Sequence, residues 1–105
     1  MERIAWKGRI LPGKKEEYIK RHNEIWPEMK EVLKAAGICN YTIWTDGDIL
    51  FGYYECQYGV SFANKVQNES PIVQKWEEYM KDVLLFENMD ESSAQPQLEQ
   101  VFYLK

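Results

Sequence analysis

His22 is the only histidine in the 105-residue chain, and so its only side chain with an unperturbed pKa close to neutrality. Such a group can take or release a proton in either direction near pH 7, as general acid and base steps on hydroxyl or ring oxygens require. Tyr18 lies four positions earlier, a spacing that on a helix puts phenol and imidazole on one face. Beyond the histidine comes Trp26-Pro27, where the proline disfavours a helical conformation for the residue before it. Pro27 itself suits the first turn of a new helix, where its missing N–H costs nothing. Tyr18 to Glu28 therefore reads as a helix, a corner and a second helix, with an acid/base-capable ring near the corner. A single histidine at a helix end also has a purely structural use as a hydrogen-bonded bystander, so chemistry here depends on what surrounds it.

Aromatic residues are abundant, with Trp 4, Tyr 7 and Phe 4. Such rings fill cores, and they also line sugar and small-molecule pockets, where a flat face packs on C–H groups and the Tyr O–H or Trp N–H bonds to a polar group. Lys+Arg 13 against Asp+Glu 17 leaves a net charge of −4, so no broad cationic surface for nucleic acid is expected. No stretch approaches the roughly eighteen apolar residues of a membrane span, and Met1 to Lys7 lacks the apolar run of a signal peptide. Cys39 and Cys56 have neither CxxC spacing nor a second histidine to join them, so no metal site is expected. They read as reduced thiols of a cytoplasmic protein.

A length of 105 residues fits one domain spanning the whole chain, residues 1–105. Residues 3–10 alternate, with Ile4, Trp6, Gly8 and Ile10 on one side, as a strand with one apolar face does. Pro12-Gly13 ends it, and a helix is predicted over 14–23. A second helix from Pro27 to about Ala36 buries a stripe of Ile25, Met29, Val32, Leu33 and Ala36, with Gly37 as its terminating residue. Residues 39–45 and 48–56 flank Asp46-Gly47, a favoured type I′ hairpin turn. That turn predicts Thr45 opposite Asp48, Ile43 opposite Leu50 and Tyr41 opposite Gly52. One face then carries Cys39, Tyr41, Ile43, Leu50, Tyr54 and Cys56, and the other Asn40, Thr42, Trp44, Ile49, Phe51, Tyr53 and Glu55. Both faces are apolar and aromatic, whereas a sheet with one wet side alternates cleanly. Helices can cover one face; the long loop after residue 85 or a second copy of the chain is needed for the other, and a symmetric dimer is favoured.

Residues 59–67 make a short helix, and Ser70-Pro71 caps a last helix with Ile72, Trp76, Met80 and Val83 on one stripe. Residues 86–97 are polar and acidic and read as a surface loop, and Leu98 to Leu104 reads as a closing strand. This order fits an α+β domain of ferredoxin-like type, with helices on one face of an antiparallel sheet.

Tyr18, Arg21-His22-Asn23, Ile25-Trp26-Pro27-Glu28, Gly37, Asn40-Tyr41, Trp76, Tyr79-Met80 and the closing Leu98 to Leu104 together resemble the L-rhamnose mutarotase family over nearly the whole chain. The resemblance implies a dimeric α/β-barrel of ferredoxin-like subunits that interconverts the α and β anomers of L-rhamnose or a related 6-deoxy sugar without a cofactor. It implies His22 as the proton donor and Tyr18, Tyr41 and Trp76 as sugar contacts. Where the family pattern has two adjacent tryptophans, this chain has Trp76-Glu77. Glu77 exchanges a stacking surface for an acceptor able to bind a hydroxyl, and it is carried over as a substrate-binding position. As an ordinary solvated helix residue it would have no such role.

Mutarotation opens a hemiacetal and closes it on the other face of the carbonyl. An acid protonates the ring oxygen while a base takes the anomeric hydroxyl proton, and the roles reverse on closing. The sequence does not identify the second proton-transfer group: Glu77, a tyrosine hydroxyl and water all remain open. Two other readings are a cofactor-independent or haem-using oxygenase, which small dimeric ferredoxin-like barrels also house, and a non-catalytic sugar-binding module with a structural His22.

Overall fold

The computed structural model describes residues 1–85 and 98–105. The elements run β1 (Glu2–Ile10), α1 (Lys15–Asn23), α2 (Pro27–Ala35), β2 (Ile38–Asp46), β3 (Ile49–Cys56), α3 (Val60–Asn68), α4 (Pro71–Met80) and β4 (Leu84–Leu85). The four strands form one antiparallel sheet in the order β2-β3-β1-β4, the ferredoxin-like arrangement that the element order predicts.

Strand β1 alternates as expected, burying Ile4, Trp6, Gly8 and Ile10. The side chains of Ile4, Trp6 and Ile10 share a core with Leu50, Tyr54 and Cys56 of β3, with Ala36 just past α2, and with Met29, Ala63, Val73, Trp76 and Met80 from the helices. Gly52 lies opposite Trp6 in the β1–β3 register, and a Cβ there would run into the Trp6 indole. The missing side chain is what lets the largest core residue lie flat on the sheet.

The helix boundaries follow their local chemistry. Pro27 opens α2 after an extended Trp26, and Ser70 Oγ accepts from the Val73 N–H at the start of α4. Gly37 adopts φ +77° beyond the last turn of α2, a left-handed conformation that costs glycine little.

The hairpin departs from the predicted register. Its observed pairs are Asp46 with Ile49, Thr45 with Leu50, Trp44 with Phe51 and Ile43 with Gly52. The two turn residues are thus Gly47 and Asp48, not Asp46 and Gly47. Positive φ occurs at Gly47 (+61°) and not at Asp48, which suits a type II′ turn with glycine first. The shift is by two residues across the pair, so side chains near the turn keep their predicted faces.

Further along, the register slips between Cys39 and Thr42. Asn40 and Tyr41 together face Tyr54, a β-bulge of one extra residue, with Asn40 at φ +50°. The bulge moves Cys39 off the predicted core face to pair with Glu55 and brings Ile38 in opposite Cys56. Asn40 Nδ2 and the Tyr53 hydroxyl both donate to Glu55, at 2.5 and 2.7 Å.

The C-terminal half brings two corrections. Helix α4 stops at Met80, so Val83 and Leu84 do not extend its stripe; Val83 is buried in the turn that follows, and Leu84–Leu85 pair with Arg9 and Ile10 as the fourth strand. The predicted closing strand over 98–104 is not a strand. Leu98 donates its N–H to the Ala5 carbonyl at 2.7 Å, and the Arg3 guanidinium lies 4.0 Å over the Tyr103 ring. The segment otherwise carries exposed apolar side chains. The loop predicted over 86–97 lies outside the described residues.

Candidate active site

Helices α1, α2 and α4 and strand β2, with Gln67 from α3, line a cleft of about 600 Å³. All five residues singled out from the sequence line it: Tyr18 and His22 from α1, Tyr41 from β2, and Trp76 and Glu77 from α4. Its apolar wall comes from Ile25, Met29, Leu33, Ile43 and Val73, and polar tips come from Asn23, Lys30, Thr45 and Gln67. A mostly apolar hollow with a few convergent polar groups, within the ~300–1,000 Å³ usual for small-molecule sites, is what a neutral sugar ring needs.

The helical spacing on α1 brings the Tyr18 and His22 rings to 4.4 Å between centroids. The His22 ring meets the Trp76 indole edge-on at 5.6 Å, and Trp76 meets Trp26 the same way at 5.1 Å. Aromatic contacts on two sides thus fix the plane of the imidazole.

His22 Nδ1 lies 3.1 Å from the Tyr18 carbonyl oxygen. A carbonyl only accepts, so Nδ1 carries the proton and Nε2 is the ring's free nitrogen. Burial lowers the His22 pKa below its ordinary value, and the bond to the Tyr18 carbonyl opposes that only in part. At neutral pH the ring is therefore uncharged, with a lone pair on Nε2 that is able to accept a proton.

The tyrosines are set differently. Tyr18 is only 3% exposed, and burial pushes its phenol far above the usual range. Tyr41 is half-buried as a residue, but its hydroxyl lies deep, accepts from Trp6 Nε1 at 3.0 Å and has a strongly raised pKa through burial. Its ring stacks on Tyr54 at 4.9 Å, and burial pushes the Tyr54 phenol up to about 12. Both cleft phenols stay protonated at neutral pH and can donate hydrogen bonds without ionising.

Glu77 is exposed taken as a whole residue, yet its carboxyl is partly desolvated at the cleft and its pKa is raised, with Lys81 pulling the other way. Of the two indications, the raised pKa speaks more directly to the carboxyl, because exposure averaged over the side chain includes a stem that can be wet. In one cleft, burial thus lowers the pKa of the imidazole and raises that of the carboxyl, moving each toward its uncharged form.

Several participants were not legible in the sequence. Trp6 reads as core and is core, but its indole N–H also holds Tyr41. Gln67, Thr45 and Lys30 reach the cleft only through the tertiary fold, and no motif spacing marks them. The Glu17–Arg21 spacing does mark an ion pair, and the structure has it at 3.0 Å. The rest of the Arg21 contacts lie across the fold.

Comparison with known proteins is consistent along the entire chain. Residues 3–104 match the family described as L-rhamnose mutarotase. An L-rhamnose mutarotase of Listeria monocytogenes is 44% identical over 106 residues, covering 99% of each chain. That of Lachnoclostridium phytofermentans is 39% identical, again over 99% of both. A crystal structure of L-rhamnose mutarotase from Formosa agariphila superposes with a TM-score of 0.81 at 30% identity, covering 100% of each chain. Neither the oxygenase reading nor the non-catalytic one is favoured by these relationships.

Proposed function

This chain belongs to the L-rhamnose mutarotase family, isomerases that interconvert sugar anomers, and from that premise we propose that His22 opens and recloses the sugar ring by shuttling one proton. The observation that carries this reading is the single imidazole, tautomer fixed by the Tyr18 carbonyl, lining the same cleft as Tyr18, Tyr41, Trp76 and Glu77.

The steps follow from the protonation states. Neutral His22 takes the anomeric hydroxyl proton on Nε2 while an acid protonates the ring oxygen; the C1–O bond breaks and the aldehyde forms. Rotation about C1–C2 turns the carbonyl over. The freed hydroxyl then attacks C1, its proton returns to the group that had protonated the ring oxygen, and His22 returns its own proton to the new anomeric oxygen. His22 thus donates as the family resemblance implies, but only after it has accepted. The ring-oxygen proton we assign to a group that holds one at neutral pH, a cleft tyrosine hydroxyl or water, and Glu77, whose pKa desolvation raises, accepts a hydrogen bond from a sugar hydroxyl. The Tyr18 and Tyr41 hydroxyls bond to sugar oxygens, and the Trp76 indole packs on an apolar sugar face. Positioned proton transfer of this kind contributes about 10²–10⁴-fold. Anomer exchange of L-rhamnose followed by saturation-transfer NMR tests the reading: exchange above background should vanish in His22→Ala, and equal exchange with and without the protein would overturn it.

The working form we propose is a homodimer, a two-subunit α/β-barrel, in the cytoplasm. Trp44 is 67% exposed and Phe51 37% exposed on the sheet face away from the helices, and Val101, Phe102 and Leu104 are also exposed. A second copy related by a two-fold axis would cover such a face. Cys39 and Cys56 are free and lie on opposite faces of the hairpin, in keeping with a reducing compartment. No helix of the described residues is long and apolar enough to cross a membrane.

A further inference from the structure

The two walls of the cleft that carry the proposed chemistry, α1 and α4, belong to different halves of the chain. Helix α1 is short and mostly polar, and Tyr18 is its only buried residue. Hydrophobic burial alone therefore holds it weakly. Next to His22, and absent from the cleft lining, Arg21 reaches across to the end of α4. Its Nη1 donates to the Tyr79 carbonyl and to Asp82 Oδ1, each at 2.7 Å, and its Nη2 donates to Asp82 Oδ2 at 3.3 Å. Nε donates to Glu17 within α1 at 3.0 Å, and the guanidinium carbon sits 4.3 Å over the Tyr79 ring.

These contacts divide by chemistry. The Tyr79 carbonyl is among the last four of α4, which lack intrahelical partners, and a cation there is favoured by the helix dipole. Asp82 is 62% exposed on its side chain against 11% for Arg21, so the ion pair taken alone is worth little in free energy. Its value is geometric: a planar fork meeting a carboxylate, a carbonyl and an aromatic face together fixes both distance and orientation, which a lysine cannot do. The Tyr79 ring also packs 5.8 Å from Trp76, which meets His22 at 5.6 Å. A closed loop of contacts thus runs Arg21–Tyr79–Trp76–His22 and back along α1.

We propose that Arg21 is a positioning residue for the reaction: it clamps α1 to the C-terminal end of α4 and so sets the distance between the His22 base on one wall and Trp76 and Glu77 on the other. This rests on the reading of His22 given above. A misplacement of about 1 Å at such a site can cost on the order of 10²-fold in rate.

The test compares Arg21→Ala, Arg21→Lys, Asp82→Ala, the Arg21→Ala/Asp82→Ala double variant and His22→Ala, each shown to be folded by its thermal transition. L-rhamnose exchange is measured as a function of sugar concentration. Arg21 lies outside the cleft, so Arg21→Ala should lower kcat by roughly 10- to 100-fold while KM changes by less than about threefold. Arg21→Lys, with the charge but without the fork, should recover only part, and the double variant should be no slower than Arg21→Ala alone. Full kcat in folded Arg21→Ala, or in Arg21→Lys and Asp82→Ala should the alanine variant not fold, would overturn the clamp. Undiminished exchange in His22→Ala would mark the different failure, that of the reading beneath it.

Discussion

The indole Nε1 of Trp6 donates to the Tyr41 hydroxyl oxygen at 3.0 Å, and this sets the direction in which the phenol can bond to a ligand in the cleft. With one lone pair engaged by a core residue that is 2% exposed, the Tyr41 O–H is turned to use as a donor. Tyr41→Phe should therefore act twice. It leaves a buried indole N–H without this acceptor, costing about 1–3 kcal/mol of stability, and it weakens sugar binding. Denaturant unfolding and the KM for L-rhamnose exchange measure the two effects separately.

The pH profile of exchange should carry the histidine. The acceptor role needs neutral His22, and burial lowers its pKa from the ordinary 6.5. Exchange should then hold through neutrality and fall as the pH drops through a value below 6.5, with the imidazole signal titrating at the same midpoint by NMR. Stability shifts in the same sense. Between the folded and unfolded values the unfolded chain binds more protons, so this contribution is complete above about pH 6.5 and is lost as pH falls through the folded-state pKa.

Glu77 should act on binding. Glu77→Gln keeps the shape and removes the charge, so the KM for L-rhamnose exchange should rise severalfold while kcat changes little. An unchanged KM would return Glu77 to the status of a solvated helix residue. Glu77→Trp tests specificity instead. A second ring beside Trp76 should favour sugars with an apolar 6-methyl over their 6-hydroxy counterparts, compared by relative kcat/KM.

Gly52→Ala should be among the most damaging single changes. Its methyl would meet the Trp6 indole with sheet on one side and core on the other, and overpacking of this kind costs about 1–3 kcal/mol or more. Because Trp6 also holds Tyr41, sugar affinity should fall along with the thermal midpoint.

The uncovered sheet face predicts association. Trp44→Glu places a charge on that face and should convert a dimer to a monomer by light scattering coupled to gel filtration. A monomeric parent protein at micromolar concentration would remove the dimer.

The elements that could be read from the sequence were those with a local cause. Alternation gave β1, the two Ser/Trp-Pro junctions gave the starts of α2 and α4, and Gly37 gave the end of α2, because caps and period act over a few residues. The hairpin register was missed because Asp46-Gly47 and Gly47-Asp48 are both good two-residue turns. The choice between them is made by how β3 pairs with β1, with Gly52 opposite Trp6. The strand expected at 98–104 rested on its apolar composition, but β-propensity describes a surface waiting for a partner, and among the described residues this segment meets the Ala5 carbonyl and Arg3 without joining the sheet. The site residues came from helical spacing and family likeness. What could not come that way was the wiring between them, since Arg21 and Asp82 are 61 positions apart.

The extra residue at Asn40 has a consequence for how this sequence can change over time. It puts the two halves of β2 out of phase, so that Ile38 faces the core at one end while Tyr41 and Ile43 face the cleft at the other. In a regular strand Ile38 and Tyr41, three positions apart, would take opposite sides, so the added residue is what lets both face the helices. Loss of Asn40 would leave the two an even distance apart in an unbroken ladder, so descendants can shed the bulge, and with it the hydrogen bond from Asn40 to Glu55, while Ile38 and Tyr41 keep their places.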